Sequence, residues 1–443
     1  MQRPPLIELL VRQAAERADH ALLRRLRVVG SAQGAYVVVD GRQLLSFASN
    51  DYLGLAQHPA LRAALIAATR DWGVGATAAH LLGGHREAHA ALERALAQWT
   101  GRERALVFSS GYMANVGVIG ALAAAGESDP RRARTLCVQD KLNHASLLDG
   151  ARLAGCELKR YRHCDLASAQ RQLESRPDAA ALLSTDGVFS MDGDVAPLAQ
   201  LATLCREQSA TLHVDDAHGL GVLGTDGAGS VAAAGLDQTD VPVLMATLGK
   251  ALGVAGAFVA GSAALIDGLV QFARSHVYST AMPPALAAAA SAAIEVARHE
   301  SWRRDHLAVL IRHFREGAAA RGFSLLPSWL PIQPLVIGSS ANALAASARL
   351  EDAGFYVPAI RPPTVPQGQA RLRITLSALH SETEVERLLD ALSAIIGTAR
   401  ESGSETVRPD GLSEATPVAA PRSPVSPRKR HRTRDGTTGA RRR

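Results

Sequence analysis

The sequence has 443 residues, 47% of them apolar and 20% charged, which is the composition of a globular protein large enough for more than one domain. Its formal net charge of +6 comes mostly from residues 401–443, which hold ten basic and five acidic side chains, so the nearly neutral remainder argues against nucleic-acid binding. The four cysteines are not spaced as metal ligands, and residues 1–20 lack the apolar core of a signal peptide. We therefore expect a cytoplasmic protein that requires neither a membrane nor a nucleic acid.

The pattern of the first 289 residues predicts two structural regions. Residues 1–54 are predicted to form a helix over 5–28 and two short strands around the Asp-Gly turn at 40–41. Residues 55–289 alternate short apolar runs with helical patterns, which indicates a large domain with a mostly parallel sheet covered by helices. The runs that predict buried strands are RALVFSS, RTLCVQD, AALLSTDGVF, TLHVDDAHG and VPVLMATLGK.

The C-terminal part predicts a smaller α+β domain and a tail. Residues 290–398 are assigned to this domain, in which a long helix over 284–322 leads to strands near 332–338 and 370–378 and to a final helix. Residues 399–443 are rich in Pro, Ser, Gly and Arg, which predicts a disordered basic tail. RNA binding by this tail is a weaker hypothesis, which deletion of residues 401–443 would test.

Polar side chains follow several predicted strands. In a parallel sheet, ligands bind at the carboxyl ends of the strands. The residues at these positions are His144, Ser190, Asp215, His218 and Lys250. The segment SSGYMAN, 109–115, joins a strand to a helix, where backbone N–H groups can bind a phosphate. A lysine, an aspartate, two histidines and a phosphate site at one edge point to pyridoxal phosphate held as a Schiff base.

Lys250 carries most of this interpretation. Only four of the 48 basic residues are lysines, and Lys250 lies in the apolar, glycine-containing stretch MATLGKALGV. Arginine keeps its charge at any useful pH, whereas a buried lysine can lose its proton and become a nucleophilic amine. The choice of lysine therefore favours a chemical function at this position.

Two competing motifs fail on detail. GLGVLG, 219–224, matches a dinucleotide-binding pattern, but the residues after it are typical of a loop where that fold requires a helix. HREAH, 85–89, has the helical spacing of a zinc site but lacks the glutamate directly after the first histidine. We expect no metal.

Six motifs together resemble the α-oxoamine synthases, which are fold-type I enzymes that use pyridoxal phosphate. They are SNDYLGL (49–55), SSGYMAN, LNHASLLDGARL (142–153), DGVFSMDGDVAPL (186–198), VDDAHGLGVLG (214–224) and TLGKALGVAGAFV (247–259). The resemblance covers roughly residues 20–395. It implies an α/β fold, with a large domain around a seven-stranded sheet and a smaller C-terminal domain, and a homodimer with shared active sites.

The resemblance also implies roles for matching positions. Lys250 would hold the cofactor and move the substrate's Cα proton, Asp215 would pair with the ring nitrogen, and His144 would stack on the ring. The cofactor-binding positions are Gly111, Tyr112, His144, Ser190, Asp215, His218, Thr247, Lys250 and, reaching the partner's site, Thr280. The substrate-binding positions are Arg24, Asn50, His144, Thr364 and Arg373.

Substrate choice depends on two segments. AIRPPTVPQGQARLRITLSALH, 359–380, is most similar to the family member that joins L-alanine to a pimeloyl thioester in biotin synthesis. Glycine-using members are the alternative, and serine-using members a more distant one. GVGATAAHLLGGH, 73–85, departs from the GSGGSR-like run of relatives near the acyl-donor entrance, which leaves open coenzyme A or acyl carrier protein as the carrier. A non-catalytic protein of the same fold would not need both Lys250 and Asp215.

Overall fold

The computed structural model describes residues 3, 5–126 and 134–401, with side chains up to residue 395. Within these ranges, no helix is long and apolar enough to cross a membrane. Residues 402–443, which hold almost all of the predicted basic tail, lie outside the described residues.

The strands follow the apolar and β-branched runs of the sequence. They are β1 (Tyr36–Val39), β2 (Arg42–Ser46), β3 (Arg104–Phe108), β4 (Leu136–Asp140), β5 (Glu157–Tyr161), β6 (Ala181–Asp186), β7 (Thr211–Asp215), β8 (Val243–Thr247), β9 (Ala257–Gly261), β10 (Ile332–Gly338), β11 (Phe355–Tyr356), β12 (Ala359–Ile360) and β13 (Ala370–Thr375). All five runs predicted to be buried strands are strands. The predicted turn between β1 and β2 is also present, with Asp40 and Gly41 both at positive φ.

Helices cover the strands and connect them. They are α1 (Leu6–Asp19), α2 (Pro59–Trp72), α3 (Glu87–Thr100), α4 (Gly111–Gly126), α5 (Ala145–Leu153), α6 (Leu166–Glu174), α7 (Leu198–Glu207), α8 (Ser230–Ala233), α9 (Ala263–Phe272), α10 (Arg274–Val277), α11 (Pro284–His299), α12 (Trp302–Ala320), α13 (Ser340–Asp352) and α14 (Glu382–Glu401).

The largest sheet of the described residues has seven strands in the order β3-β9-β8-β7-β6-β4-β5. β9 runs antiparallel to both neighbours, and the pairs from β8 to β5 are parallel. Asp186 at the end of β6 lies opposite Asp215 at the end of β7, so polar strand ends share one edge. The predicted mostly parallel sheet is therefore confirmed.

Both faces of this sheet are buried, which explains why its central strands are apolar runs. On β8, Leu244 packs in a cluster with residues of α6 and α7, while Val243 and Met245 pack in a second cluster with α4 and α9. Successive side chains of a strand point to opposite faces, so each β8 residue joins the helix layer on its own side.

The C-terminal residues add a smaller antiparallel sheet in the order β10-β13-β12. Leu372 and Ile374 on β13 share one core with Leu388 and Leu392 of α14 and with Leu53. The proposed division into regions 1–54, 55–289, 290–398 and 399–443 stays a prediction.

Two predicted helices were wrong in length. The helix expected over 5–28 ends at Asp19, and Ala21 has a φ of 55°. Tertiary contacts replace helical bonds there, because Arg361 donates hydrogen bonds to the carbonyl oxygens of Ala21 and Leu23.

The helix expected over 284–322 is in fact two helices, α11 and α12. It breaks at Glu300, where φ is −94° and ψ is 59°. The break is held by Arg303, which pairs with Glu300 at 2.7 Å and donates to the carbonyl oxygen of Leu53 at 3.0 Å.

Candidate active site

A cavity lies at the carboxyl ends of the strands, where the sequence predicted a site. Its lining residues are Gly111, Tyr112, His144, Ser146, Asp186, Val188, Ser190, Asp215, Ala217, His218, Met245, Thr247 and Lys250. The structure therefore brings together every predicted cofactor-binding residue except Thr280.

Lys250 follows β8 in a tight loop. The loop is closed by hydrogen bonds from Leu248 N–H to the Gly256 carbonyl and from Gly253 N–H to the Lys250 carbonyl, each 2.9 Å long. Gly253 has a φ of 65°, and a Cβ there would lie 2.4 Å from the backbone nitrogen of Ala56, so the turn requires glycine. The loop thus fixes the start of the lysine side chain.

The electrostatic surroundings of Lys250 favour a reactive amine. Burial lowers the pKa of Lys250 from its usual value, although the carboxylates of Asp215 and Asp186 oppose this effect. Among the described residues, Nζ of Lys250 has no hydrogen-bond partner. A lowered pKa makes the proton of Lys250 easier to remove, which favours covalent chemistry by its amine.

Asp215 is a fixed carboxylate at the end of β7. Oδ2 accepts a hydrogen bond of 2.7 Å from Nδ2 of Asn115, and Oδ1 accepts one of 3.0 Å from the backbone of Ala217. Asn115 is fully buried on α4 and also donates to Ser146 Oγ at 2.8 Å. Two donors therefore orient the Asp215 carboxylate toward the cavity that it lines.

His218 is held in the neutral form. Burial, followed by the charges of Lys250 and Arg373, lowers its pKa well below the usual value. Its Nδ1 lies 2.6 Å from the hydroxyl oxygen of the buried Tyr52. This contact leaves Nε2 of His218 available for a ligand.

One end of the cavity suits a phosphate. Gly111 and Tyr112 open α4, a 16-residue helix whose first N–H groups have no partner within the helix. A Cβ on Gly111 would lie 2.7 Å from Cγ2 of Thr247, so only glycine lets the helix approach β8 this closely. The hydroxyl of Thr247 is buried and has no hydrogen-bond partner among the described residues.

His144 and Ser190 lie in two loops on the same side of the sheet. His144 precedes α5, and its Nδ1 lies 2.7 Å from Ser146 Oγ. Its backbone N–H donates to Asp186 Oδ1 at 3.3 Å, and burial together with the charge of Asp215 raises the pKa of Asp186 well above its usual value. Ser190 is tied to Arg373, whose Nε donates to the Ser190 carbonyl at 2.7 Å.

The predicted substrate-binding residues apart from His144 form two pairs outside the cavity lining. The buried Arg373 donates to Asn50 Oδ1 from both terminal nitrogens at 3.2 Å, and it has no ion-pair partner among the described residues. Arg24 donates to Thr364 Oγ1 at 3.2 Å on an exposed surface.

Thr280 is the predicted cofactor-binding residue that does not line the cavity. Its backbone pairs with Ala79 in an isolated antiparallel bridge, and its carbonyl accepts a hydrogen bond from Ser109 Oγ at 3.4 Å.

Sequence reasoning missed several residues that support the site. Asp186 could have been found, because it ends a predicted strand as Asp215 does. Tyr52 and Asn115 lie inside motifs that the sequence analysis recognised, but nothing in their spacing shows that they contact His218 and Asp215.

A four-histidine cluster (His80, His85, His89 and His276) lies apart from these residues. One ring nitrogen from each of His80, His85 and His89 falls within 4.8 Å of the others. His89 uses both nitrogens for backbone contacts, with Arg86 N–H and the Met282 carbonyl, and His80 and His85 contact each other through Nδ1 at 3.0 Å. Burial lowers the pKa of all four imidazoles.

The family model for class I and II aminotransferases matches residues 42–392. The chain belongs to the class I and II aminotransferase family. Among curated members, the 8-amino-7-oxononanoate synthases of Alkalilimnicola ehrlichii and Pseudomonas putida are 54% and 56% identical to it over 385 and 387 residues. Each alignment covers 87% of this chain and 96% of the relative.

Solved structures of the same fold include serine palmitoyltransferases. That of Sphingomonas wittichii is 30% identical with a TM-score of 0.81, covering 89% of this chain and 98% of its own. One from S. paucimobilis, with a bound aldimine of pyridoxal phosphate and myriocin, is 27% identical with a TM-score of 0.83, covering 90% and 100%. An 8-amino-7-oxononanoate synthase from Francisella tularensis is 28% identical with a TM-score of 0.69, covering 81% and 99%.

These similarities confirm the predicted fold type and the predicted resemblance to the α-oxoamine synthases. The two curated 8-amino-7-oxononanoate synthases are more than half identical to the chain, whereas the two serine palmitoyltransferases are 30% and 27% identical.

Proposed function

We propose that this chain joins L-alanine to a pimeloyl thioester and releases CO2 and the free thiol, giving 8-amino-7-oxononanoate for biotin synthesis. The proposal depends on one observation above all. A half-buried lysine and a buried, hydrogen-bonded aspartate line one cavity, in a chain more than half identical to proteins named for this product. The enzyme is a pyridoxal-phosphate-dependent acyltransferase, as predicted from the sequence.

The residues of the cavity fit pyridoxal phosphate. The unpartnered hydroxyl of Thr247 and the first turn of α4 at Gly111 and Tyr112 would bind the phosphate. Asp215 would pair with the ring nitrogen, and Lys250 would hold the cofactor covalently. His144 would stack on the ring, and His218 and Ser190 would contact its hydroxyl. When bound, the cofactor withdraws the electron pair that remains at the substrate's Cα when a bond there breaks.

The substrate carboxylate has a natural partner in Arg373. A buried guanidinium without a carboxylate is costly, and a substrate carboxylate supplies the missing charge. Nη1 of Arg373 donates to Asn50 and to Thr375 Oγ1 at 3.0 Å, and Nη2 donates once to Asn50, so one N–H group of Nη2 is left for a carboxylate. Arg24 and Thr364, which are paired by a hydrogen bond, would also contact substrate.

Lys250 would then move the proton. Burial lowers the pKa of its amine, which would suit it to act as the base for the Cα proton of bound alanine. It would take the Cα proton before the new carbon–carbon bond forms and return a proton after CO2 has left. Asn115 would hold the Asp215 side chain in place during these steps.

The enzyme is proposed to act as a cytoplasmic homodimer with shared active sites. Thr280 does not line the cavity of its own chain. This position is consistent with its expected role, which is to contact the cofactor in the partner's site. The neighbouring Tyr278 is 71% exposed and would be covered in such a dimer. Acyl carrier protein is a further proposed partner, as the carrier of the pimeloyl group.

Mass spectrometry of the products tests this function. Purified enzyme is incubated with pimeloyl-CoA or with pimeloyl-acyl carrier protein, and with L-alanine, glycine or L-serine. The proposal predicts 8-amino-7-oxononanoate from alanine with at least one donor and little product from the other amino acids. A preference for glycine or serine would assign the enzyme to another branch of the α-oxoamine synthases.

A further inference from the structure

His163, which does not line the cavity, bridges two carboxylates. Its Nδ1 lies 3.0 Å from Oδ1 of Asp140, and its Nε2 lies 2.7 Å from Oδ2 of Asp194. The ring stands edge-on to Phe189, with centroids 4.4 Å apart and planes at 88°. A carboxylate accepts hydrogen bonds, so both ring nitrogens must carry a proton and the ring is an imidazolium.

Asp140 connects this imidazolium to the loop of His144. It ends β4, and its Oδ1 also accepts the N–H of Leu142 at 2.8 Å. Its backbone carbonyl accepts the N–H of Asn143, the residue before His144, at 3.2 Å. The path from His163 to the start of the His144 loop is therefore a chain of direct hydrogen bonds.

Asp194 connects the imidazolium to the turn that contains Ser190. Its carbonyl accepts the N–H of Phe189 at 3.0 Å, and Gly193 N–H donates to the Phe189 carbonyl at 2.8 Å. These bonds close the turn between Phe189 and Asp194, so the side chain of Asp194 moves with the Ser190 backbone. Asp192 anchors the same turn independently through Arg371, at 2.7 Å.

We infer that His163 is a positioning residue that holds the loops of His144 and Ser190 at a fixed separation through its paired contacts with Asp140 and Asp194. Each loop supplies one side of the site, so their separation sets the width of the space for the cofactor ring. The inference rests on the proposed function, because it assigns His144 and Ser190 to the cofactor.

The charges around His163 make the bridge strong. The Asp140 side chain is 1% exposed, and those of His163 and Asp194 are 28% and 25% exposed. Burial opposes the charge on His163, but the hydrogen bonds to Asp140 and Asp194 outweigh it and raise the pKa of His163 well above its usual value. The adjacent Cys164 donates its backbone N–H to Asp140 Oδ2, and Arg160 donates to the Asp140 carbonyl rather than to its carboxylate. Removing the imidazolium thus leaves the buried Asp140 carboxylate without its cation.

Two variants test the bridge. His163→Gln removes the cation, and Asp194→Asn removes the anion that faces Nε2 of His163, which weakens the link to the Ser190 turn while the contact between Asp140 and His163 remains. The second anchor at Asp192 should allow both variants to fold. His313→Gln is the matched control. His313, on α12, also pairs with a carboxylate, that of Glu386 on α14 at 3.1 Å, and neither residue lines the cavity.

Three readouts are measured for each variant: hydrogen exchange of the Phe189 and Gly193 amides in cofactor-free protein, the dissociation constant for pyridoxal phosphate, and kcat and KM for alanine. Both variants should exchange these amides faster and bind the cofactor about tenfold more weakly, since each loses one charge of the His163–Asp194 pair. kcat should fall by a larger factor than KM rises. The double variant should bind the cofactor no more weakly than His163→Gln, because it leaves neither the charge of His163 nor that of Asp194 without its partner. The control should match wild type.

The inference is overturned if His163→Gln and Asp194→Asn keep wild-type cofactor affinity and wild-type exchange at Phe189 and Gly193, even if their thermal stability falls. If His163→Gln does not fold, the same comparison for Asp194→Asn decides. Failure of the proposed function gives a different result, in which wild-type protein itself does not bind pyridoxal phosphate or make the product.

Discussion

Acid should destabilise this protein through His276. Its side chain is 4% exposed, and its ring stacks on His80 with centroids 4.6 Å apart and an interplanar angle of 16°. Neither ring nitrogen has a hydrogen-bond partner among the described residues. Burial, followed by the charge of His85, lowers the pKa of His276 to about 4.

The sign and size of the effect follow from this shift. The pKa of His276 is lower in the folded protein than in the unfolded chain, so below about pH 6.5 the unfolded chain binds the proton more readily. The contribution to stability is therefore complete above pH 6.5 and is lost as the pH falls toward 4. With folded and unfolded values of about 4 and 6.5, the loss near pH 5 is about 2 kcal/mol.

The replacement His276→Phe keeps a ring against His80 and removes the titration. Urea unfolding of wild type and variant is compared near pH 7.5 and near pH 5. Wild type should lose about 2 kcal/mol more than the variant between these conditions. The exposed His299 supplies the control, since His299→Phe should keep the wild-type response. Equal losses in wild type and His276→Phe would refute the reasoning.

Three further replacements test the cavity. Gly111→Ala places a Cβ 2.7 Å from Thr247 Cγ2, so overpacking should cost about 1–3 kcal/mol and weaken cofactor binding, measured by urea unfolding and by absorbance titration. Asn115→Leu removes a hydrogen bond to the Asp215 carboxylate and should lower the free energy of unfolding by about 1.5–3 kcal/mol; an unchanged value would contradict the role of Asn115. Arg373→Lys loses the planar fork, so KM for alanine should rise about tenfold while cofactor absorbance stays, and an unchanged KM would exclude Arg373 as the carboxylate partner.

The sequence predicted those strands whose burial is reflected in a run of apolar residues. Five of the seven strands of the large sheet were found because they are mostly buried and rich in apolar residues, including β3 at one edge. β5, at the other edge, was missed because its residues Glu157–Tyr161 are mostly polar and half-buried. β9 was missed because GAFVAG continues a glycine-containing motif, and no local signal shows that it inserts antiparallel between β3 and β8.

The site residues that lie at the carboxyl ends of predicted strands could be predicted from the sequence. Asp215, His218 and Lys250 each come directly after an apolar run, so chain order alone places them at one edge. The contact between Tyr52 and His218 joins residues 166 positions apart, and that between His163 and Asp194 joins two loops. Such contacts depend on how loops pack across the sheet, which periodicity does not encode. In the histidine cluster, His276 lies far along the chain from the three histidines of residues 80–89, of which the sequence analysis singled out only the 85–89 pair.

Borohydride reduction of the purified enzyme, followed by peptide mass spectrometry, tests the central claim most directly, namely that one amine in this cavity holds pyridoxal phosphate. The account predicts a phosphopyridoxyl group on Lys250 and none on the Lys250→Ala variant. A label on Lys141 or Lys159, or no label on yellow wild-type protein, would contradict it.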